Sequence, residues 1–410
     1  MFLPIIIDPF AFADMRYRWV FQKYLYYSYI NKVPIISQER FSHNISIFDE
    51  KFKEKHQYKM LTQDEMDEVD IYYIPEEIFL DLIEKEGSLL AAKLYLLNKR
   101  YLPLEKVLES FFEKIAQKHR IEGVLNWAAH FMSVKYLAKK YNYDVITCEY
   151  SLRFPNYRSI CYLCFDDIYT DFEIRSRYEN FVDLKKHIDF DLFSREELLL
   201  LFLDNSLVDY INLVNAAPKY QIGIAGCHPL VSTFFAKSAF TDLELVQNIR
   251  KNYKEEDILF RMHPGEEPYQ ATYGFKNQDY HKTPIPFILN CESIAAQGSN
   301  ILFEAMLWGK PVYSHDVSPF AQFSEKIFSN KKDPYIVPID FLNFALLCYF
   351  VPMEEVCNPE YLAWRRERPN ELELMHYHLS IYLKEKNIPK DWIFLSKKKR
   401  LKRLKYYRGL

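Results

Sequence analysis

Residues 123–150, GVLNWAAHFMSVKYLAKKYNYDVITCEY, decide how the rest of the chain is read. GVLNW (123–127) is a short apolar run of strand length, and AAHFMSVKYLAKKYN (128–142) suits a crossover helix. DVITCEY (144–150) is the returning strand. A strand, a helix and a second strand in this order predict two parallel strands, because a parallel pair needs a crossover connection and a hairpin does not. Upstream, LPIIID (3–8) reads as a further strand, and residues 75–120 repeat Leu and Ile at three- and four-residue spacing, as helices do. Downstream, a helical stretch near 195–215 leads into a second alternating series. This series runs QIGIAG, a helix over 240–253, DILFRMHP, SIAAQGS, a helix over 300–308 and KPVYS. The expected fold class is therefore α/β with two Rossmann-like domains. Residues 1–216 form the first, with a helical insertion, residues 217–350 form the second, and residues 351–410 supply C-terminal helices and a basic tail.

Composition limits the function classes. A chain of 410 residues suits two domains of ~150 to 200 residues. Hydrophobic content of 49% with 27% charged residues is that of a globular protein, and no segment reaches the ~18 uninterrupted apolar residues of a membrane span. The apolar start carries Pro4, Asp8 and Pro9 and lacks a basic leader, so a cytoplasmic location is expected. Seven scattered cysteines agree with a reducing compartment, and Cys161 and Cys164 in SICYLCF read as strand residues because no second ligand pair is spaced for zinc. The net charge is −3, yet the tail KKKRLKRLKYYRGL (397–410) holds eight Lys and Arg and no acid, which leaves −11 for the remainder. Basic residues interleaved with Leu and Tyr suit an anionic membrane surface, at ~1 kcal/mol per charge near the lipid. A nucleic-acid partner is not expected, because no basic patch recurs in the acidic body.

Six of the nine glycines fall between Gly223 and Gly309, which marks the second domain as the half that a ligand approaches closely. In an open parallel sheet, ligands sit beyond the carboxyl ends of the strands, and ILFRMHPGEE (258–267) ends a strand in Arg261, His263 and Pro264. The next strand ends in QGSN (297–300), where Gly298 allows close approach and Ser299 or Asn300 can cap the helix that follows. Glu304 lies about one turn into that helix, where a carboxylate can accept hydrogen bonds from a ribose diol. These residues together describe a nucleotide site, with phosphate between His263 and the helix terminus and ribose at Glu304.

Three blocks carry a resemblance: GVLNWAAHFMSVKYLAKKYNYDVITCEYSLR, LFRMHPGEE and GSNILFEAMLWGKPVYSHDVSPFAQF. They resemble the successive motifs of bacterial capsule and lipopolysaccharide Kdo transferases, and the His-Pro motif is similar to that of bacterial sialyl- and polysialyltransferases. The resemblance covers roughly residues 120–325. It implies a GT-B-like glycosyltransferase that uses CMP-Kdo without a metal or other cofactor. Arg261, His263 and Pro264 match the basic-x-His-Pro block, Ser299 the serine before the helix, and Glu304, Ala305, Gly309 and Pro311 the Glu-Ala and Gly-x-Pro block. Pro319 and Phe320 match its Pro-Phe. Asn126 matches an asparagine at a strand end, and Glu149, Leu152 and Arg153 match an acidic-x-x-Leu-Arg block.

The chain departs from that pattern twice. One carboxylate, Glu149, stands where an acidic pair is common, and His228 and Ser232 stand where an acidic loop is expected. The implied donor is a CMP-activated 2-keto sugar acid, whose departing phosphate needs preorganised donors worth ~3 to 4 kcal/mol each. His263 is the expected phosphate contact, Glu149 the first candidate for the acceptor base, Asp8 the second, and Arg153 the cation for the sugar carboxylate. Expected partners are the nucleotide-sugar donor, an oligosaccharide or glycolipid acceptor, and an anionic membrane at the inner face of the cytoplasmic membrane. Alternatives are a CMP-sialic acid or UDP-sugar donor, or a non-catalytic subunit of a capsule assembly complex. The acidic clusters Asp189-Phe190-Asp191 and Asp166-Asp167 read as a solvated turn and a hairpin. His376 and His378, two apart on a helix, do not face one metal.

Overall fold

The computed structural model describes residues 1–12, 18–42, 60–128, 130–165, 173–226, 242–263, 273–297, 299–314 and 336–410. The chain divides into two compact units. The first comprises Met1–Tyr150, Ser159–Asp171 and Val351–Pro369; the second comprises Ser151–Arg158, Phe172–Phe350 and Asn370–Leu410. The expected boundary near residue 217 differs from this division, since the helices from 173 onward fold with the second unit. Residues 351–410 likewise form no third segment but are shared between the two. Helix periodicity reports that a helix has an apolar face, and carries no information about which sheet receives it.

In the first unit, strands β1 (Phe2–Ile6), β2 (Ile35–Gln38), β3 (Ile71–Ile74), β4 (Gly123–Trp127) and β5 (Asp144–Tyr150) are parallel, in the order β5-β4-β1-β2-β3. Strands β6 (Ile160–Cys164) and β11 (Val351–Pro352) continue the sheet antiparallel beyond β5. The decisive unit at 123–150 folds as expected, with helix Met132–Lys140 joining β4 to β5 in a register that sets Gly123 opposite Asp144. Glycine suits this position, because a Cβ at Gly123 would lie 3.0 Å from the Asp144 carbonyl oxygen and would press the neighbouring strand by a few tenths of an ångström. The helical stretch after residue 75 is three helices, Glu77–Glu86, Leu89–Asn98 and Leu102–Ala116. Gly87 ends the first at φ +79°, and the Ser88 hydroxyl accepts the Ala91 N–H to start the second. Leu104, Leu108, Phe112 and Ile115 recur on one face of the third and pack into the core with Leu3, Ile5 and Val124. Both faces of β1 and β4 are buried, which is why these strands read as continuous apolar runs. Cys161 and Cys164 lie buried in β6, where burial pushes the Cys161 thiol well above its usual range.

In the second unit, β7 (Tyr220–Ala225), β8 (Ile258–Arg261), β9 (Cys291–Ala295) and β10 (Val312–Tyr313) are all parallel, in the order β10-β9-β7-β8. The order reverses between β7 and β9, and a ligand crevice opens at the carboxyl ends of strands at such a reversal. Gly223 in β7 fills a position closed to any side chain, since a Cβ would fall 2.7 Å from the Phe287 ring and 2.8 Å from the Cys291 sulfur.

The basic tail is a folded element of this unit. Helix Lys397–Tyr407 buries Arg400 and Leu404. Arg400 Nε donates to Glu197 Oε1 at 2.9 Å, and both side chains are fully buried. Its Nη1 also donates to the carbonyl oxygens of Asp191 at 2.6 Å and Ile393 at 3.2 Å, so the ion pair is hydrogen-bonded on several sides. Lys405 pairs with Glu196 at 2.8 Å, and Arg408 donates to the Leu203 carbonyl oxygen. Three of the tail's eight cations thus hold it to the protein. Lys397, Lys398, Lys399, Lys402 and Arg403 remain exposed. No helix among the described residues is long and apolar enough to cross a membrane.

Candidate functional site

The expected nucleotide residues gather at the carboxyl ends of β8 and β9. Arg261 is the last residue of β8 and His263 follows it, half-buried. Ser299 precedes helix Ile301–Leu307, and its hydroxyl accepts the Ile301 N–H at 3.4 Å. Asn300 makes no side-chain cap hydrogen bond, so the capping role falls to Ser299 alone. Glu304 sits in the first turn, where its N–H donates to the Asn300 carbonyl oxygen at 3.1 Å. Pro264, Gly298, His228, Ser232, Pro319 and Phe320 lie outside the described residues, as do Asp166 and Asp167.

Glu304 is the most perturbed carboxylate of this group. Burial pushes it up to about 7, opposed by the positive charge of Arg153, a hydrogen bond from Tyr157 and the charge of Arg261. The buried Tyr157 hydroxyl accepts the Trp308 indole N–H at 2.8 Å and hydrogen-bonds the Glu304 carboxylate. Glu304 Oε2 is buried with no hydrogen-bond partner among the described residues. Oε2 is thus left as an unfilled buried acceptor, a costly arrangement that a ligand hydroxyl would relieve. Trp308 was in principle legible, because it lies four residues beyond Glu304 on one helical face. Tyr157 was not, since it comes from a segment about 150 residues away in sequence. That segment is tied to the second unit by Arg158 N–H to the Phe202 carbonyl at 2.6 Å and Asp204 N–H to the Asn156 carbonyl at 2.9 Å. Arg153 belongs to the same segment and is exposed.

Arg261 is partly engaged by two residues that the sequence did not single out. Its Nη1 donates to Asp279 Oδ2 and to the His281 carbonyl oxygen, the latter at 2.8 Å. Asp279 Oδ1 also meets His281 Nδ1 at 2.5 Å, so one buried carboxylate holds both side chains. Asp279 and His281 lie two apart in an extended segment, the spacing that puts two side chains on one side.

The candidates in the first unit are held differently. Asp8 follows β1 and is buried, with Oδ2 accepting from Lys93 Nζ at 2.8 Å and Oδ1 from the Phe10 N–H at 2.9 Å. Its own N–H donates to Gln38 Oε1 at 3.2 Å. Such a clasp joins β1, β2 and helix Leu89–Asn98, and it disfavours Asp8 as a base. Asn126 is buried in β4 opposite Thr147. Glu149 is half-buried near the end of β5, opposite Tyr162, and its Oε1 accepts the Tyr150 N–H at 2.8 Å. Beside it, Trp19, Trp127 and Tyr150 pack their rings 4.7 to 5.4 Å apart. His378 is buried on helix Glu371–Glu385 with Nδ1 at the Leu347 carbonyl oxygen, 3.0 Å away. Among the described residues, no group of three or more His, Cys, Asp or Glu is placed to hold a metal ion.

No curated protein matches the chain. The solved structure of Thermosulfurimonas dismutans KpsC, a beta Kdo 2,7 transferase, is similar over 63% of this chain and 90% of that one, at 17% identity and a TM-score of 0.38. Methanocaldococcus jannaschii UDP-GlcNAc 2-epimerase, in complex with UDP-GlcNAc and UDP, is similar over 83% of this chain and 97% of that one, at 13% identity and a TM-score of 0.32. Residues 2–173 match the glycosyltransferase 99 family N-terminal domain, and this match supports a glycosyltransferase.

Proposed function

We propose that the protein transfers a CMP-activated 2-keto sugar acid, Kdo in the first instance, to a surface polysaccharide or its lipid-linked acceptor. The observation that carries this reading is the convergence of Arg261, Ser299 and Glu304 at the carboxyl ends of two parallel strands, with one Glu304 oxygen buried and unfilled. The ribose hydroxyl of a nucleotide supplies the missing donor. His263 and Ser299 take the phosphate, and Arg153 takes the sugar carboxylate. The choice of CMP-Kdo over other donors rests on the motif blocks described above.

Departure of CMP leaves positive charge on the sugar and builds negative charge on the phosphate. Donors fixed beforehand stabilise that charge without reorganising. Glu149 is the carboxylate we assign to the acceptor hydroxyl, because Asp8 is engaged in its clasp. The exposed Lys397, Lys398, Lys399, Lys402 and Arg403 form the face that meets anionic lipid at the inner side of the cytoplasmic membrane.

Calorimetry with CMP, UMP, GMP and ADP tests the donor, followed by a transfer assay with CMP-Kdo. CMP is expected to bind best, with His263→Ala lowering turnover at least a hundredfold. Equal affinity for all four nucleotides, or an unchanged His263→Ala enzyme, would sink the assignment.

A further inference from the structure

The cluster Arg261, Asp279 and His281 lies at the carboxyl end of β8 and is not accounted for by the phosphate and ribose contacts above. The segment around Gln278 runs parallel to β8 along its edge, with the Phe260 N–H donating to the Asn277 carbonyl at 3.0 Å and the Asp279 N–H to the Phe260 carbonyl at 2.7 Å. This pairing carries Asp279 and His281 to the strand end where ligands sit. Asp279 is 2% exposed at its side chain, whereas His281 is 57% exposed. A buried carboxylate thus holds an accessible imidazole in one orientation.

That contact fixes the tautomer. A carboxylate accepts hydrogen bonds and does not donate them, so His281 Nδ1, 2.5 Å from Asp279 Oδ1, carries the proton. In the neutral ring Nε2 is then a bare acceptor, and it has no hydrogen bond among the described residues. Arg261 makes its hydrogen bonds through Nη1, and its Nε and Nη2 have none among the described residues. The cluster therefore presents one acceptor beside a pair of donors.

Cytosine offers the complementary edge. Its exocyclic amine donates, and its ring nitrogen and carbonyl oxygen accept. Uracil carries a carbonyl oxygen where cytosine has the amine, which sets two acceptors against each other at His281 Nε2. Arg261 also lies close enough to lower the pKa of Glu304, the residue assigned to the ribose, and a base lies beside its ribose. We propose that Arg261 and His281, positioned by Asp279, read the base edge of the donor nucleotide and select cytosine over uracil. This proposal rests on the CMP reading of the site.

Calorimetry with CMP, UMP, cytidine and uridine tests it on the full chain and on His281→Ala, His281→Gln and Asp279→Asn. His281 is exposed, so the first two variants are expected to melt as the wild type does. His281→Ala is expected to lose roughly tenfold in CMP affinity and to bind CMP and UMP alike. His281→Gln, whose amide can accept or donate, should bind both nucleotides with the preference gone. Asp279→Asn, which can donate to Nδ1 and reverse the tautomer, should lower the ratio of CMP to UMP affinity although His281 is present. The nucleosides should follow the same ratios, since the contact is to the base. Unchanged CMP to UMP ratios in both His281 variants overturn the proposal and leave the CMP reading standing. A wild type that prefers UMP, or binds neither, overturns both.

Discussion

The carboxyl ends of the two sheets differ in how their carboxylates are satisfied. After β1, Asp8 has each oxygen hydrogen-bonded, one to Lys93 and one to the Phe10 N–H. After β9, Glu304 has Oε2 buried without a hydrogen-bond partner among the described residues. A buried acceptor left unfilled costs about 1–3 kcal/mol. A filled carboxylate holds the fold, and an unfilled one in a ligand crevice is kept for something the protein binds.

The largest expected effect falls on the filled site. Asp8→Asn leaves the Lys93 ammonium buried without its countercharge and is expected to destabilise the protein by about 3–5 kcal/mol. Its CMP affinity should stay within roughly twofold of wild type, because Asp8 belongs to the first unit and the candidate nucleotide residues belong to the second. A large loss of nucleotide affinity with an unchanged melting temperature would reverse the contrast between the two ends.

Glu304→Gln has the opposite signature. The native carboxyl titrates at about 7, above its unfolded value of 4.5. The folded state therefore holds the proton more tightly, and this contribution is fully present below pH 4.5 and lost as pH rises through 7. A glutamine at this position does not titrate, so the variant is expected to gain about 3 kcal/mol over wild type at pH 8 and little near pH 4. Its affinity for CMP should fall. Melting curves across this range check the sign, and parallel pH profiles for wild type and variant would remove Glu304 as an unfilled acceptor.

The tail gives the smallest effect per residue. Replacing Lys397, Lys398, Lys399, Lys402 and Arg403 with Gln is expected to weaken sedimentation with anionic vesicles by about 1 kcal/mol per charge, with little change in melting temperature. Arg400→Met, by contrast, should lower the melting temperature sharply, because it strands Glu197. Vesicle binding that survives the five substitutions would refute the membrane face.

The alternation of strand and helix was legible along both halves, and so were the strand ends that carry Arg261, Ser299 and Glu304. These follow from local periodicity and from the rule that parallel strands need crossovers. Tyr157 was not legible, nor was the return of Arg400 to Glu197, whose partners lie about 150 and 200 residues apart. The pairing of Lys93, in Leu89–Asn98, with Asp8 was equally out of reach, since the two lie 85 residues apart.

Local sequence settles the fold class, the parallel sheets and the strand ends that carry the candidate nucleotide residues, because each depends on neighbours a few positions away. Which of those residues are already paired is settled only when the chain packs. Glu149 and Arg153 are four positions apart, yet they fall in different units. Asp8 and Glu304 are both acids beyond strand ends, yet one is closed by a lysine and the other left open. Whether a buried oxygen finds a partner depends on side chains brought in from distant segments, and no local pattern records them.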